Sequence, residues 1–458
     1  MPLGAFRLTR RVLAILICLC AGAGLVACGS SRVKGPPSGL TRRVLASQGV
    51  SSTLTFGGLV IVNAYTDTVA RIPPIGAGVS PGLMAISPTR NIVVAFDETT
   101  NTVFAVDTAR ETDLGHILLP GITSSMVVPT ADPIGYAAVP AASVNGYSFL
   151  GGIEMLSLTA GGIMTTIAVP NAQTVVSNSD GSQLLVFSND SDSVTALFPS
   201  SAVPPVDLSC LDSPPNAVCT IVQDSRLSRP VYAVVSGNNA YILNCGFECG
   251  GSQQASVAVL DLNSLTITGS VPVNGATYAF LSGTTLYVAG NGTPTGPPCS
   301  SLTNSINAAT AAVYCGTLDI VDLTTLTDPY YANLAMEIAI PDGYHVRMDM
   351  SSNGQLFVGS RDCTNIGNVN NPSGEVRGCL AILNTLSGKV VIPPDNGNVD
   401  GLQSFVSRYI EYVAEGGNLR VYDTTKDILY INTYNNYLPT GTVPIVGYVG
   451  DVKAIDFF

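Results

Sequence analysis

Residue types that support catalysis or metal binding are sparse in this sequence. Of 458 residues, only two are histidines and 11 are cysteines. His345 is followed at alternate positions by Arg347 and Asp349, so the three side chains would share one face of an extended strand. An ion pair with a neighbouring sheet explains this polar cluster better than an acid–base set does. We therefore assign no catalytic residue.

Motifs that usually mark an enzyme or a cofactor site are absent or stand in the wrong context. "GVSPG" (Gly78–Gly82) matches the G-x-S-x-G pattern. A nucleophile elbow, however, joins a strand to a helix, whereas this segment joins two predicted strands and has Pro81 beside its serine. No C-x-x-C-H motif for covalent haem is present. The sequence thus predicts no cofactor and no metal site.

Residues 1–27 have the features of a secretion signal. Three arginines precede the apolar run Val12–Ala27, which is too short and too rich in small residues to predict a membrane span. The run ends in "LVAC" (Leu25–Cys28), which resembles a bacterial lipobox. That resemblance implies cleavage before Cys28 and a diacylglycerol on its thiol; an ordinary signal peptide with a chance cysteine is the alternative. Inner-membrane lipoproteins carry aspartate after the cysteine, so Gly29 implies the outer membrane.

Residues 28–39 form a polar tether, and residues 40–458 form the folded body. Loss of residues 1–27 removes three of the 20 basic residues and none of the 32 acidic ones. An acidic chain without basic clusters argues against a nucleic-acid partner. Contact with a membrane would therefore come from the lipid rather than from charge.

One pattern recurs along the folded body: a short apolar strand that ends in aspartate or a substitute for it. "VFAVD" and "VAVLD" are clear copies, and "VTALF" is a degenerate one. The copies end at Asn63, Asp107, Ser157, Phe198, Asp261, Asp322, Asn384 and Asp423. A short polar side chain at this position can bond the backbone two residues on and start a turn. We interpret the series as structural rather than as metal ligands.

Each copy is the third of four short strands separated by tight turns such as Ser-Asp-Gly and Asn-Gly. Four antiparallel strands repeated about every 40 to 60 residues are typical of a β-propeller blade. A blade cannot cover its two apolar faces alone, so blades pack radially and the ring closes. The copies predict an all-β propeller with eight blades, with seven as the alternative. Asp451–Phe458 should complete the first blade by pairing with strands from residues 40–65.

The repeats resemble a known bacterial class. "SPTRNIVVAFDETTNTVFAVDTA" (Ser87–Ala109) and "SGTTLYVAGNG" (Ser282–Gly292) resemble YVTN-type β-propeller repeats, which are related to lactonase-like propellers. The resemblance covers residues 40–458 and implies a propeller fold, commonly with seven blades. It also implies an alternative function, because lactonase-type propellers use carboxylates around a metal at the channel.

Eight cysteines remain once the signal peptide and the lipidated Cys28 are set aside, and an exported protein would hold them as disulfides. In the repeat register, a cysteine after a second strand faces one that precedes a third strand. This predicts the pairs Cys245–Cys249, Cys299–Cys315 and Cys363–Cys379, with Cys210–Cys219 closing another insertion. A metal cluster and a redox dithiol are the rival interpretations, although the chain has no C-x-x-C pair.

The longest segments between second and third strands emerge on the same face as the connections between blades. They are rich in Asn, Ser and Thr, and disulfides would close two of them. A rigid scaffold that presents such loops is typical of a binding module, although bridges could also protect insertions from proteases. We expect a lipid-anchored binding or scaffold protein of the cell envelope, with a protein or glycan partner on this face. The alternatives are a lactonase-like hydrolase using the central channel, near whose mouth His345 would lie, and a structural adhesin.

Overall fold

Eight four-stranded antiparallel sheets, arranged as blades around a central axis, make up the fold. The computed structural model describes residues 35–144, 147–199, 210, 218–292, 315–324, 334–363, 378–393, 397–431 and 438–457. The prediction of an eight-bladed propeller is confirmed, and the seven-blade alternative is wrong. These residues contain no α-helix, and thus no helix with the length and apolar character of a membrane span.

Each blade is an up-and-down sheet whose first strand lies nearest the axis. From the axis outward, blade 1 comprises β35 (Val452–Ala454), β1 (Arg43–Gln48), β2 (Gly58–Asn63) and β3 (Thr68–Val69). Blade 2 comprises β4 (Pro81–Ile86), β5 (Ile92–Asp97), β6 (Thr102–Asp107) and β7 (Thr112–Leu118). Blade 3 comprises β8 (Ser125–Val127), β9 (Ile134–Val139), β12 (Gly152–Ser157) and β13 (Gly162–Ala168). Blade 4 comprises β14 (Ala172–Ser177), β15 (Leu184–Ser188), β16 (Ser193–Leu197) and β17 (Cys219–Gln223).

The second half of the ring follows the same order. Blade 5 comprises β18 (Pro230–Ser236), β19 (Asn239–Asn244), β20 (Ser256–Asp261) and β21 (Thr266–Pro272). Blade 6 comprises β22 (Tyr278–Ser282), β23 (Thr285–Gly290), β24 (Cys315–Asp322) and β25 (Leu334–Pro341). Blade 7 comprises β26 (Tyr344–Met350), β27 (Gln355–Arg361), β28 (Leu380–Asn384) and β29 (Val390–Val391). Blade 8 comprises β30 (Val399–Phe405), β31 (Ile410–Glu415), β32 (Asn418–Asp423) and β33 (Ile428–Leu429).

A few short elements of the described chain lie outside these four-stranded sheets. A hairpin of β10 (Ala142–Val144) and β11 (Tyr147–Phe149) lies between β9 and β12, and β34 (Thr442–Val443) pairs with β32. Short 3-10 helices cover Gly246–Cys249 and Val406–Arg408.

The hydrophobic core lies between the blades, as β5 shows. All six residues of this strand are buried. Val93 and Ala95 pack with residues of blade 1, whereas Val94 and Phe96 pack with residues of blade 3. Successive side chains of a strand point to opposite faces, so one apolar run fills two inter-blade spaces. This explains why the second strands lack the alternation of apolar and polar residues that a half-exposed sheet would show.

The ring closes where the predicted C-terminal strand meets the start of the body. β35 pairs antiparallel with β1, with Val44 opposite Ala454 and Ala46 opposite Val452. Arg43 bridges this blade to the next, since its guanidinium lies 2.6 Å from Asp456 and 2.8 Å from Glu111 of blade 2. Closure by the last segment is thus confirmed, and it gives blade 1 the same four strands as the other blades.

The two faces of the propeller carry different connections. The loop face carries turns between second and third strands, such as 98–101, and connections between blades, such as 119–124. The base face carries the other turns, such as 87–91 and 108–111. Ser38 bonds Glu111 on the base face, with its N–H and its hydroxyl each 2.6 Å from a carboxylate oxygen. The first described residues therefore lie against the base face.

Asp67→Asn should lower the free energy of unfolding by about 3 kcal/mol. Asp67 is fully buried between blades 1 and 8, where it lies 2.7 Å from Arg408 and accepts the Tyr412 hydroxyl. Neutralising it leaves the largely buried guanidinium without a counter-charge. Asp190→Asn is the matched control: both aspartates have positive φ, 55° and 59°, which asparagine tolerates, but the Asp190 side chain is 83% exposed.

Equilibrium urea unfolding measures both variants. The Asp190 variant should lose less than about 0.5 kcal/mol. Equal losses in the two variants would contradict a closing role for the buried ion pair.

Candidate ligand site at the mouth of the central channel

The central channel opens on the loop face into a cavity of about 710 Å³, which we call the channel mouth. Its wall comes from the first residues of the innermost strands and the connections that precede them, including Ser80, Ile122, Thr277, Tyr344, Asn398 and Tyr448. A concave site of this volume is typical of small-molecule binding.

The innermost strands share an irregularity at the end nearest the mouth. Pairing between first and second strands slips by one residue in β4, β14, β18, β26 and β30. In β26 the slip falls between His345 and Arg347. A bulge bends a strand and redirects its side chains, so simple alternation does not describe this strand. As a result, His345, Arg347 and Asp349 occupy three different environments.

His345 is buried between blades 6 and 7. Its Nε2 lies 3.0 Å from the Pro341 carbonyl, to which it donates, and its Nδ1 has no hydrogen-bond partner among the described residues. Burial lowers the pKa of His345 to about 4, so the ring is neutral at physiological pH. A side chain at Gly316 would clash with this ring, because a Cβ there would lie 2.7 Å from His345 Cε1. The close packing indicates a structural role for His345.

Arg347 lines the channel mouth, whereas Asp349 lies towards the other end of β26. Arg347 Nε donates to the Asp400 carbonyl and its Nη1 to the Val346 carbonyl, both at 2.9 Å. Asp349 accepts the Ser404 N–H at 2.6 Å. Both side chains therefore contact the backbone of blade 8. Within the described part of the chain, neither forms an ion pair.

A second carboxyl group lies behind Asp349. Glu411 on β31 has no exposed surface and lies close to Asp349, and within the described residues neither of its carboxyl oxygens has a hydrogen-bond partner. Burial raises the pKa of both groups, and the charge of Asp349 adds to the rise for Glu411. Two carboxyl groups that lie this close and away from water do not both stay charged. The pair is not part of the mouth wall, so it braces blades 7 and 8 rather than facing a ligand.

Asp400 organises the mouth on the side of blades 7, 8 and 1. Its carboxylate lies 2.6 Å from Arg361 Nε and accepts the Tyr448 hydroxyl at 2.6 Å. Burial raises the pKa of Tyr448, and the hydrogen bond to Asp400 adds to that rise. Among the described residues, the carboxylates in the mouth wall are Asp400 and Glu98, and Asp400 is occupied by its contacts with Arg361 and Tyr448. Among residues with defined positions, no three His, Cys, Asp or Glu side chains converge as a metal site requires.

Tyrosines form much of the remaining wall around Arg347. The rings of Tyr232 and Tyr278, on neighbouring innermost strands, stack with centroids 4.8 Å apart. Burial raises the pKa of Tyr232 well above its usual value, Tyr278 adds to the rise, and the nearby Arg347 opposes it. Tyr344 and Tyr448 are 56% and 49% exposed at the rim. Such rings offer an apolar face and a hydroxyl group to the same ligand.

These tyrosines were not singled out from the sequence, although a signal was present. A tyrosine stands near the start of three successive innermost strands, in "PVYAVV", "TYAFL" and "GYHVR". The pattern becomes meaningful only when the strand starts are known to converge on the axis.

Three disulfides join described residues, and two of them secure the edge of the loop face. Cys245–Cys249 and Cys363–Cys379 each follow a second strand, with Cα atoms 5.5 Å apart. Cys210–Cys219 joins the insertion to β17, with Cα atoms 6.1 Å apart, and the Cys210 N–H donates to the Ala168 carbonyl of blade 3. The first two are pairings that the repeat register predicts, and the third is the predicted closure of the insertion. Disulfides persist in oxidising compartments, which is consistent with an exported protein.

The Cys245–Cys249 bridge also positions a contact across three blades. Glu248, inside the bridged loop, accepts the Asn291 N–H at 3.0 Å. Asn291 in turn accepts the Gly343 N–H through its side-chain oxygen at 3.0 Å. The Cys245–Cys249 disulfide therefore helps to hold the rim between blades 5 and 7 in one arrangement.

Several predicted features lie outside the described residues. They are Cys28, Cys299 and the loop segments 293–314 and 364–377. The pairing Cys299–Cys315 and the lipid site therefore stay predictions.

No family model and no curated protein sequence matches this chain. Among solved structures, the chain is similar to the computationally designed Ika8 protein, with 10% identity, a TM-score of 0.49 and coverage of 84% of this chain and 98% of that one. It is similar to a functionally unknown protein from Desulfotomaculum acetoxidans, with 15% identity, a TM-score of 0.47 and coverage of 78% and 99%. It is also similar to a eukaryotic initiation factor, with 11% identity, a TM-score of 0.45 and coverage of 86% and 84%.

Asp319→Asn should remove a pH-dependent loss of stability. Asp319 is fully buried on β24, where it accepts the Asn274 N–H at 2.6 Å, and burial raises its pKa from 3.8 to about 6. Between about pH 4 and pH 6 the folded state binds more protons than the unfolded state, so stability falls as pH rises. The variant should therefore be about 2 to 3 kcal/mol more stable than wild type at pH 7, and similar to it at pH 4.

Asp322→Asn, at the end of the same strand, is the control. Hydrogen bonds from the Thr324 N–H and hydroxyl lower the pKa of Asp322. The Asp322 variant should therefore lose stability between pH 4 and pH 6 as wild type does. Urea unfolding at four pH values measures all three proteins. If the free energy of unfolding of the Asp319 variant still falls with pH as in wild type, the loss of stability does not come from Asp319.

Proposed function

We propose that this protein is a lipid-anchored binding module of the bacterial cell envelope, which holds a ligand at the channel mouth. The observation that carries the proposal is the cavity of about 710 Å³ on the loop face. Binding residues tend to occupy loops that a rigid scaffold positions. Here the scaffold is a closed ring, and disulfides and inter-blade hydrogen bonds brace the rim.

The chemistry of the wall favours binding over hydrolysis. Tyrosine rings, a guanidinium group and backbone groups surround the cavity, whereas Asp400 is held by Arg361 and Tyr448. A pocket with apolar faces and a few directed polar groups is typical of recognition. Because these groups are held in place before a ligand arrives, little ordering cost would be added on binding.

The position of the tether supports a membrane-anchored orientation. Ser38 is held against the base face by Glu111, on the side opposite the channel mouth. A lipid on Cys28 would therefore hold the base face towards the bilayer and leave the mouth open to the surrounding compartment. The outer membrane is the proposed location, since Gly29 rather than aspartate follows Cys28.

Cys28→Ala should abolish incorporation of a clickable fatty acid and release the protein from the membrane fraction. The thiol of Cys28 is the proposed attachment atom, so no other cysteine can replace it. Cys20→Ala, within the proposed signal peptide, is the control and should leave labelling unchanged. Retained label in the Cys28 variant, detected by in-gel fluorescence, would refute the lipid anchor.

A photo-crosslinking amino acid at position 344 should capture a ligand or partner in intact cells, because Tyr344 stands exposed at the mouth. The same probe at position 65 is the matched control. Tyr65 is 68% exposed on the base face, against 56% for Tyr344. Mass spectrometry of the adducts reads out the result, and equal capture from both positions would contradict a site at the mouth.

A further inference from the structure

Arg347 carries a positive charge that the described residues do not neutralise. Its two observed hydrogen bonds go to carbonyl groups, Asp400 O and Val346 O. A guanidinium has five N–H donors, so the remaining donors have no partner in the described part of the chain. The other cations of the wall are paired: Arg361 lies 2.6 Å from Asp400, and Lys453 lies 2.9 Å from Asp451.

This unneutralised charge stands in a chain with an excess of acidic residues. The formal net charge is −12, and partial burial makes an uncompensated cation costly. The bond to the Asp400 carbonyl holds the guanidinium against blade 8, the bond to the Val346 carbonyl holds it to its own strand, and Arg347 lines the cavity. Planar guanidinium groups bind carboxylates through paired hydrogen bonds.

The surroundings of Arg347 add a second requirement for the ligand. Tyr232 and Tyr344 both lie close enough for its charge to affect their pKa values. The Tyr232–Tyr278 stack forms a wall, and Tyr344 and Tyr448 project at the rim. Aromatic faces with hydroxyl groups suit a ring that has an apolar face and a polar edge. Saccharide rings have this character.

We propose that the channel mouth recognises an acidic saccharide, with the sugar carboxylate bound by Arg347 and the sugar ring resting against the tyrosines. This inference rests on the proposed function, because it names the ligand class of the same site. It makes Arg347 the residue that discriminates charged from uncharged sugars.

Binding of the full chain in detergent to two matched probes tests the proposal. One probe is a tetramer of galacturonic acid, and the other is its fully methyl-esterified form, which has the same rings without the charge. Titration calorimetry on wild type should show about tenfold tighter binding of the acid. Equal affinity for the two forms overturns the role of the carboxylate and leaves a binding mouth intact.

Variants then assign the preference to one side chain. Arg347→Gln should bring the ratio of the two affinities close to one by weakening binding of the acid more than binding of the ester, and Arg347→Lys should keep part of the preference. Arg110→Gln, an exposed arginine on the base face, should behave as wild type. Circular dichroism checks that the variants fold.

The remaining outcomes also decide the matter. A preserved preference in the Arg347→Gln variant overturns the inference. If wild type binds neither probe but the crosslinker at position 344 still captures a ligand, the saccharide inference fails and the binding site survives. If both experiments fail, both proposals fall.

Discussion

Burial of both faces of every sheet is the constraint on which this structure depends. β5 sends Val93 and Ala95 towards one neighbour and Val94 and Phe96 towards the other. A single blade would leave half of these side chains in water, at about 25 cal/mol for each Å² of apolar surface. The ring satisfies every blade at once only when it is closed. The pairing of β35 with β1, the ion pair of Arg43 with Asp456 beside it, and the ion pair of Arg408 with Asp67 between blades 8 and 1 therefore stabilise all eight sheets.

The same constraint builds the channel mouth. Closing the ring brings the first residues of the innermost strands together at one end of the axis, so tyrosines that are distant in sequence become neighbours. Bulges at this end relax the strict alternation that packing imposes farther along the strands. Polar groups that are buried between blades must be hydrogen-bonded or uncharged. His345 is neutral and bonded to Pro341, and burial raises the pKa of both Asp349 and Glu411.

The connections between strands give the propeller two different faces. Short turns dominate the base face, where Ser38 and Glu111 hold the start of the described chain. The loop face carries two of the disulfide bridges, the contact between Glu248 and Asn291 and the opening of the cavity. Attachment and recognition would thus occur on opposite sides of one rigid body. An anchor on the base face would not obstruct the mouth.

The amino-acid sequence by itself determined the strand repeat, the eight blades, closure by the last segment and the pairing of Cys245 with Cys249 and of Cys363 with Cys379. The strands and the disulfides depend on period-two patterning and on antiparallel neighbours, which are local in the chain, and closure follows because the first blade lacks one strand at the start of the body. Only the tertiary structure decided what surrounds Arg347. Its contacts with Asp400 and its closeness to Tyr232 join residues from blades 5, 7 and 8, and a one-residue bulge set by packing separates it from His345. Alternation along one strand cannot predict such contacts, because they exist only once the blades meet around the axis.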